Sequence, residues 1–271
     1  MRLKKTLENK LNKLKKIIKK LGSVIVAYSG GVDSSLLLKV CKDVLGNKVL
    51  AAIGTSETYP KREINYAIFM AKKIGVRYFL IRTEELKDEN FVNNSSKRCY
   101  WCKNQLFSKI KNIARKNKIA SVVDGSNYDD LFDYRTGLLA AKRLNIKSPL
   151  LEAKLKKEEI RQIAKFLKLP NFDKPSFACL ASRFPYKSKI TKEKLVKINA
   201  IEEYIMDFGI KQVRVRDFSS IAKIDVLKED FKKVIKHKEK IVKYIKKKGF
   251  NFVVLDLEGY KTGSLNRLIK K

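Results

Sequence analysis

The chain carries, from residue 24 to residue 35, the run Val24-Ile25-Val26-Ala27-Tyr28-Ser29-Gly30-Gly31-Val32-Asp33-Ser34-Ser35. Its first five residues form a continuous apolar segment, which predicts a buried strand. The two glycines then permit a tight turn, and an apolar helical pattern follows from about Ser34 to Leu45. A buried strand, a glycine turn and a helix in direct succession are typical of a parallel α/β sheet.

The turn in this run has the chemistry of a phosphate site. Glycines let the backbone approach an anion closely, and the start of a helix offers unpaired N–H groups and a positive dipole end. The hydroxyls of Ser29, Ser34 and Ser35 can donate hydrogen bonds to phosphate. A carboxylate repels bare phosphate, so Asp33 is predicted to hold a bridging Mg²⁺. The spacing differs from the G-x-x-x-x-G-K-[ST] loop of P-loop NTPases.

Outward from this run, further apolar strands alternate with helices. The predicted strands are 49–53, 78–81 and 120–123, and the predicted helices are 3–21, 60–74 and 103–117. This alternation predicts an α/β fold whose parallel sheet is covered on both faces. In such folds the ligand binds at the carboxyl ends of the strands.

The pattern changes after about residue 185. A helix is predicted at 191–207, alternating strands at 213–216 and 221–226, a lysine-rich helix at 229–248 and a last strand at 252–255. These elements predict a smaller α+β domain. We place the boundary between residues 186 and 187, which gives domains 1–186 and 187–271.

Composition narrows the class of protein. Of the 271 residues, 44% are hydrophobic and 33% are charged, which suffices for a sizeable core and argues against disorder. No apolar run reaches the roughly 18–20 residues that a bilayer requires, and no signal core follows the charged start. We therefore expect a soluble, cytoplasmic protein.

The net charge of +34 has two interpretations. Lysines and arginines could neutralise nucleic-acid phosphates. They are spread along the whole chain, however, which favours a solvated lysine-rich surface over a dedicated nucleic-acid face. Such a surface still favours anionic small molecules such as ATP.

Four cysteines stand at positions 41, 99, 102 and 179. Structural disulfides are rare in cytosolic proteins. Cys41 lies in an apolar helical run and is expected to be a core thiol. Cys99 and Cys102 form a C-x-x-C pair, which indicates metal binding or redox chemistry. The single histidine, His237, lies among lysines and is expected to be solvated.

Two segments resemble the PP-loop ATP pyrophosphatases. Residues 29–35 are similar to their SGGxDS loop, and residues 124–130, Asp124-Gly125-Ser126-Asn127-Tyr128-Asp129-Asp130, are similar to their DGxNxDD loop. The resemblance implies cleavage of ATP between its α and β phosphates, leaving an adenylylated substrate and pyrophosphate. It also implies that Asp124 helps to hold Mg²⁺ or to position ATP, although an acidic, solvated turn is an equal alternative for this segment alone.

Three further segments resemble the LarE family of ATP-dependent sulfur transferases. They are residues 98–103 (Arg-Cys-Tyr-Trp-Cys-Lys), residues 178–183 (Ala-Cys-Leu-Ala-Ser-Arg) and residues 255–266. The resemblance runs from about Gly22 to Asn266. It implies that the substrate is pyridinium-3,5-biscarboxylic acid mononucleotide, whose carboxylate becomes a thiocarboxylate on the route to the nickel-pincer nucleotide. It assigns ATP to domain 1–186, and substrate binding and oligomerisation to domain 187–271.

The chain departs from the family pattern at two places. Lys187 follows Pro185-Tyr186 where glycine is expected, and Asp217-Phe218 stands where His-Gly is expected. Neither departure touches the ATP loop, so both bear on the substrate pocket.

The resemblance leaves two sources for the sulfur and one purely structural alternative for the cysteines. Cys99, Cys102 and Cys179 could ligate a 4Fe–4S cluster that carries the sulfur and leaves one iron without a protein ligand. Alternatively, Cys179 sacrifices its own sulfur, or the cysteines hold a structural zinc. We favour the cluster, and we expect the three sulfurs to converge beside the phosphate loop because activation and transfer act on one carbon.

The substrate's phosphate needs its own anchors. Arg183, Arg214 and Arg216 are candidates because arginine pairs bidentately with phosphate, although the last two could equally form the polar face of an alternating strand. Trp101 could shield the cluster, stack on a substrate ring or simply pack. We expect a small-molecule nucleotide substrate, sulfide or another sulfur donor, and a homo-oligomer.

Two rival functions remain. A tRNA thiolation enzyme would use the same loop and cluster, but the chain shows no separate RNA-binding module. A non-enzymatic basic scaffold would leave the phosphate loop unexplained.

Overall fold

A computed structural model describes residues 3–132, 136–175, 177–261 and 263–268. Thr262 and the side chain of Asn266, both in the C-terminal segment of the family resemblance, lie outside the described residues. The described residues form two compact units, Met1–Glu85 with Lys97–Phe177 and Leu86–Ser96 with Ala178–Lys271.

The first unit contains a four-stranded parallel sheet. Its strands are β1 (Val24–Ala27), β2 (Val49–Thr55), β3 (Arg77–Arg82) and β4 (Ser121–Asp124). Their order is β3-β2-β1-β4, so β1 is central and pairs with β2 on one side and β4 on the other. The predicted parallel α/β fold is confirmed.

Helices cover both faces of this sheet. The helices of this unit are α1 (Lys5–Leu21), α2 (Val32–Leu45), α3 (Lys61–Ile74), α5 (Arg98–Lys116), α6 (Gly137–Arg143), α7 (Pro149–Glu152) and α8 (Lys157–Phe166). Helix α4 (Glu89–Val92) belongs to the second unit. Val24 and Val26 pack into a core with α1, α2 and α8, while Ile25 packs into a second core with α5. Because alternate residues of β1 point to opposite faces, the strand is apolar throughout.

The second unit contains a three-stranded mixed sheet. Its elements are α9 (Lys192–Met206), β5 (Val213–Phe218), β6 (Ile221–Val226), α10 (Phe231–Lys236), α11 (Lys238–Lys247) and β7 (Phe252–Leu255). β5 pairs antiparallel with β6, which pairs parallel with β7. This is the α+β architecture expected for the C-terminal region. The predicted helix 229–248 is two helices that meet at His237, whose ring stacks on Phe208 at 4.4 Å instead of facing solvent alone.

The second unit includes a segment that precedes it by about ninety residues. The Asn94 side chain donates to the carbonyl oxygens of Phe184 and Pro185, at 3.3 and 2.7 Å. The Asn94 carbonyl accepts from the backbone N–H of Lys187 at 3.1 Å. These bonds tie residues 86–96 to residues 184–190. The compact units divide between Phe177 and Ala178, whereas the boundary predicted from the sequence lies after residue 186. The roles assigned to the two domains stay predictions.

Lys187 has a backbone φ of 70°. This left-handed conformation is uncommon for residues other than glycine, asparagine and aspartate. Glycine, the residue expected at this position, adopts such a φ without strain, so the Cβ of Lys187 adds strain to the bend.

Among the described residues, no helix is both long enough and apolar enough to cross a membrane.

Candidate active site

The glycine–serine loop lies at the carboxyl end of the central strand and opens α2. Gly31 is the residue before the helix, so Asp33 and Ser34 belong to its first turn. Gly30 has a φ of +73°, and a Cβ there would lie 2.9 Å from Ala67. Only glycine fits this position, because both the conformation and the space exclude a side chain.

The three serines of the loop have different environments. Ser29 is exposed, and its hydroxyl lies 3.2 Å from that of Ser34. The Ser34 hydroxyl also donates to the Gly31 carbonyl at 3.1 Å. The Ser29 hydroxyl is open to solvent, where an anion could accept from it, whereas Ser34 is only 4% exposed.

Ser35 faces the interior instead. It is 0% exposed, and its hydroxyl lies 2.9 Å from the Tyr28 hydroxyl and accepts from the Asn171 side-chain amide at 2.8 Å. Burial raises the pKa of Tyr28, so this phenol stays protonated at any physiological pH. Ser35 therefore supports the loop from beneath, while its predicted contact with phosphate stays untested.

Asp33 has one engaged and one unengaged carboxylate oxygen. Its Oδ2 forms a short ion pair with Lys157 Nζ, at the start of α8. Its Oδ1 is buried and has no hydrogen-bond partner among the described residues. A buried carboxylate oxygen without a donor is costly, and a divalent cation that prefers oxygen ligands would satisfy it. The site therefore fits the Mg²⁺ predicted at Asp33.

Lys157 was not singled out from the sequence. It is one of 62 basic residues and lies 124 positions from Asp33, so no local pattern marks it. Its backbone N–H also donates to Asp129 Oδ2 at 2.8 Å, which joins α8 to the acidic loop after β4.

Asp124 ends β4, directly beside Ala27 of β1. It is 3% exposed and accepts hydrogen bonds from Ser126 Oγ and Ser148 Oγ, each at 2.6 Å. Lys103 Nζ lies 3.4 Å from its Oδ2. Its carboxylate is thus held by protein donors and fixes the loop that follows.

The loops after β1 and β4 approach each other closely. A Cβ on Gly125 would lie 3.0 Å from the backbone nitrogen of Ser34. The first unit therefore brings the two predicted ATP loops together at the carboxyl edge of its sheet, where a parallel sheet binds its ligands.

Cys99 is the second residue and Cys102 the fifth residue of α5, which begins at Arg98 and not at residue 103 as predicted. Cys99 is exposed and Cys102 is half-buried. The Cys102 thiol donates to Oε1 of the buried Glu85 at 3.4 Å. The two thiols lie three positions apart on a helix and therefore share one face.

Cys41 is fully buried in the core, and burial raises the pKa of its thiol. Its expected role as a core thiol is confirmed. Across the part of the chain that the structure describes, no group of three or more His, Cys, Asp or Glu side chains is arranged to hold a metal ion. The three-cysteine ligand set stays a prediction.

In the second unit, Cys179 directly precedes a short helical turn, Leu180–Arg183. Arg183 is 0% exposed and forms a two-fold ion pair with Glu202, at 2.7 and 2.8 Å. Its remaining terminal nitrogen donates to the carbonyls of Ala178 and Cys179 and to Ser182 Oγ, at 2.7, 3.1 and 2.9 Å. This guanidinium therefore holds the backbone of residues 178–182, the cysteine loop, and its predicted contact with the substrate's phosphate stays untested.

Glu202 is equally buried. Burial alone would raise the pKa of Glu202, but the charge and hydrogen bonds of Arg183, with the charge of Arg214, hold it below its ordinary value. Glu202 also accepts from the backbone N–H of Val215 at 2.9 Å, which links α9 to β5.

Arg216 and Arg214 are also largely buried, so the polar face of β5 is not solvated. Arg216 donates to Asp225 at 2.9 Å, to the Ser182 carbonyl at 2.7 Å and to Ser264 Oγ at 3.1 Å. The Arg214 guanidinium lies 5.5 Å from the Tyr260 ring centre.

Burial and the nearby charge of Arg183 lower the pKa of Arg214 to about 10. It remains a cation at neutral pH. Three guanidinium groups thus lie close to two buried carboxylates, Glu202 and Asp225, beside the cysteine loop.

Trp101 is half-buried, and its ring meets the Tyr100 ring edge-on at 5.0 Å. This contact supports a packing role and leaves its predicted stacking on substrate untested.

The chain matches the NAD synthase family model over residues 2–122. It is 40% identical to an uncharacterized protein of Synechocystis over 98% of this chain and 100% of that relative. It is 33% identical to pyridinium-3,5-bisthiocarboxylic acid mononucleotide synthase of Lactiplantibacillus plantarum, over 98% of this chain and 97% of that relative. An uncharacterized protein of Methanocaldococcus jannaschii is 35% identical over 96% and 98% of the two chains.

Proposed function

We propose a substrate and a reaction on one premise: this chain belongs to the LarE family, whose members are ATP-dependent sulfurtransferases of the PP-loop type. The proposed substrate is pyridinium-3,5-biscarboxylic acid mononucleotide. The protein uses ATP to convert a carboxylate of this nucleotide to a thiocarboxylate. The support is the similarity to the Lactiplantibacillus plantarum synthase over nearly the whole of both chains.

The observation that carries the first step is the unengaged, buried oxygen of Asp33 beside the glycine–serine loop. In this step a substrate carboxylate oxygen attacks the α-phosphorus of ATP, and pyrophosphate leaves. Ser29 and Ser34 donate to the departing phosphates, and the start of α2 adds its dipole. Asp33 would hold the Mg²⁺, which neutralises charge on the phosphates.

In the second step a sulfur nucleophile attacks the adenylylated carbon, and AMP leaves with the carboxyl oxygen. We propose that Cys99, Cys102 and Cys179 are the protein ligands of a 4Fe–4S cluster, which would supply that sulfur when bound. The two thiols near the start of α5, one exposed and one half-buried, support this ligand set. A sacrificial Cys179 and a structural zinc are the alternatives.

The test is an anaerobic reaction of the purified protein with ATP, the biscarboxylic nucleotide and sulfide. We expect AMP and pyrophosphate in equal amounts, together with a nucleotide whose mass has increased by the exchange of oxygen for sulfur. A parallel reaction with tRNA in place of the nucleotide should release no pyrophosphate. Thiolated tRNA and an unchanged nucleotide would overturn the proposal in favour of tRNA modification.

Arg214 and Arg216 are the proposed anchors for the nucleotide's phosphate. Replacing either with alanine should weaken nucleotide binding by about 1.5–3 kcal/mol, because a charge-assisted hydrogen bond is lost. ATP affinity should change little. Calorimetric titration of each ligand measures both effects, and Arg267→Ala, at an exposed arginine of the same unit, is the matched control. Equal losses for ATP and nucleotide would place these arginines at the wrong site.

The Arg183–Glu202 pair predicts a large effect on stability. Glu202→Ala leaves a fully buried guanidinium without its carboxylate, which should lower the free energy of unfolding by about 3–5 kcal/mol. Glu203→Ala, at the next position of α9, is only half-buried and should cost far less. Denaturant unfolding measures both variants, and similar losses would contradict this assignment.

The pair also predicts a pH dependence. The pKa of Glu202 is below its ordinary value of 4.5, so the pair's contribution should be complete above that pH. It should fall away as the pH drops below 4.5 through the lower folded value. In Glu202→Gln this part of the acid dependence should be absent.

A further inference from the structure

A short segment after α8 contacts the buried side of the glycine–serine loop, residues 29–35, which is the predicted phosphate loop. Its residue Asn171 is 1% exposed, and its side-chain amide donates to two loop atoms. One is the Gly30 carbonyl oxygen at 3.1 Å, and the other is Ser35 Oγ at 2.8 Å. A single side chain therefore holds both the glycine turn and the first turn of α2.

The segment that carries Asn171 is itself fixed from two sides. Arg161 of α8 donates to the carbonyls of Phe172 and Lys174, at 2.7 and 2.8 Å. Lys174 pairs with Glu63 of α3 at 2.8 Å, and its ammonium lies 3.7 Å from the centre of the Tyr66 ring. Asn171 is thus a rigid support and does not depend on the loop for its own position.

The contact with the Gly30 carbonyl has a direct consequence for ligand binding. Gly30 has a positive φ, a region that glycine enters and leaves easily, so its peptide unit could rotate if nothing held it. In a trans peptide the carbonyl oxygen and the following N–H point in opposite directions. Holding the Gly30 oxygen therefore also fixes the direction of the Gly31 N–H, a donor at the start of α2.

We propose that Asn171 is a positioning residue that keeps the phosphate loop in its ATP-binding conformation. It acts through the Gly30 carbonyl and Ser35 and touches no reacting atom. This inference rests on the proposed use of ATP by the loop. It also explains why Ser35 is buried: its hydroxyl joins Tyr28 and Asn171 in one hydrogen-bonded chain beneath the loop.

The test is calorimetric titration of the full-length protein with Mg·ATP. If Asn171→Ala leaves the loop competent about one tenth of the time, the apparent Kd should rise about ten-fold. Asn171→Asp keeps the shape but loses the donor and should weaken binding at least as much. At saturating ATP the ligand restores the loop, so kcat for pyrophosphate release should stay near the wild-type value while KM for ATP rises.

Two comparisons separate positioning from general destabilisation. Asn199→Ala, in the second unit, also removes an amide with a buried, unpaired oxygen, and it should leave the Kd for ATP unchanged. Ser35→Ala should raise the Kd, and the double variant with Asn171→Ala should fall short of the summed effects because both act on one chain of bonds.

An unchanged Kd in both Asn171 variants, with wild-type protein that binds ATP, would overturn the inference. A lower kcat at an unchanged KM would do the same, because it indicates a smaller active fraction. If the wild-type protein itself failed to bind Mg·ATP, the proposed function would fail first.

Discussion

Replacing Asp33 with alanine should reduce formation of AMP and pyrophosphate by about a thousand-fold or more. The proposed Mg²⁺ contributes several kcal/mol to stabilising charge on the reacting phosphates, and each 1.36 kcal/mol is a factor of ten in rate. Asp33 supplies a buried oxygen that has no hydrogen-bond partner among the described residues, and it is the one acidic residue in the first turn of α2. Asp33→Asn should be nearly as inactive, because an amide oxygen carries no charge to hold the cation.

The fold should survive both changes. The side chain of Asp33 is about one-fifth exposed, and its ion pair with Lys157 is partly open to solvent, where such pairs contribute little. Asp43→Ala is the matched control, since it also removes a carboxylate paired with a lysine in α2. Pyrophosphate release and thermal unfolding should be measured on all variants. Full turnover in a folded Asp33→Ala protein would contradict the assignment of the loop.

The sequence predicted the structural features that depend on residues close together along the chain. The run at residues 24–35 predicted a buried strand, a turn and a helix, because apolar continuity and glycine act locally. The strand at 252–255 was predicted at its observed bounds for the same reason. The central parallel sheet followed from the alternation of such elements.

Features that depend on distant contacts were not predictable. The ion pair between Lys157 and Asp33 and the bond between Asn171 and Gly30 join residues more than a hundred positions apart. Nothing in the local pattern shows that Ser35 bonds to Tyr28 and Asn171, whereas Ser34 bonds within the loop. Residues 86–96 join the second unit through Asn94, whose partners lie ninety positions later.

The arginines of β5 show that alternation of apolar and polar residues does not always indicate a half-exposed strand. Val213-Arg214-Val215-Arg216 alternates as a half-solvated strand would, yet both arginines are buried. Their burial is possible because Glu202, Asp225 and backbone carbonyls provide partners for their charges and N–H groups. A pattern of hydrophobic residues does not show such partners. The sequence likewise cannot show that Glu202 and backbone carbonyls already accept hydrogen bonds from Arg183.

The cysteines carry the other large predicted effect. Changing Cys99, Cys102 or Cys179 to alanine should remove bound iron and sulfide and reduce sulfur transfer to background. Each supplies one of the three thiolate ligands that we propose, and a 4Fe–4S cluster rarely survives with two. Formation of AMP and pyrophosphate should persist, because the ATP loops of the first unit contain none of these thiols. Iron and sulfide analysis, with assays of both steps under anaerobic conditions, gives the readout.

Cys41→Ala is the control within the same chain. Its thiol is fully buried and its raised pKa keeps it protonated, so it can neither bind iron nor act as a nucleophile at neutral pH. Both activities should be retained, with some loss of packing. A loss of iron in this variant without unfolding would show that iron content follows general stability and not ligation.

The same variants distinguish the cluster, the sacrificial cysteine and the structural zinc. If Cys99→Ala and Cys102→Ala still transferred one sulfur per chain while Cys179→Ala was inactive, Cys179 would be consumed and the cluster mechanism would be wrong. Zinc in anaerobically purified protein, with no iron and with activity lost only through unfolding, would identify a structural site. The cluster alone predicts repeated turnover with added sulfide and equal dependence on all three thiols, because removal of any one ligand should disrupt the same centre.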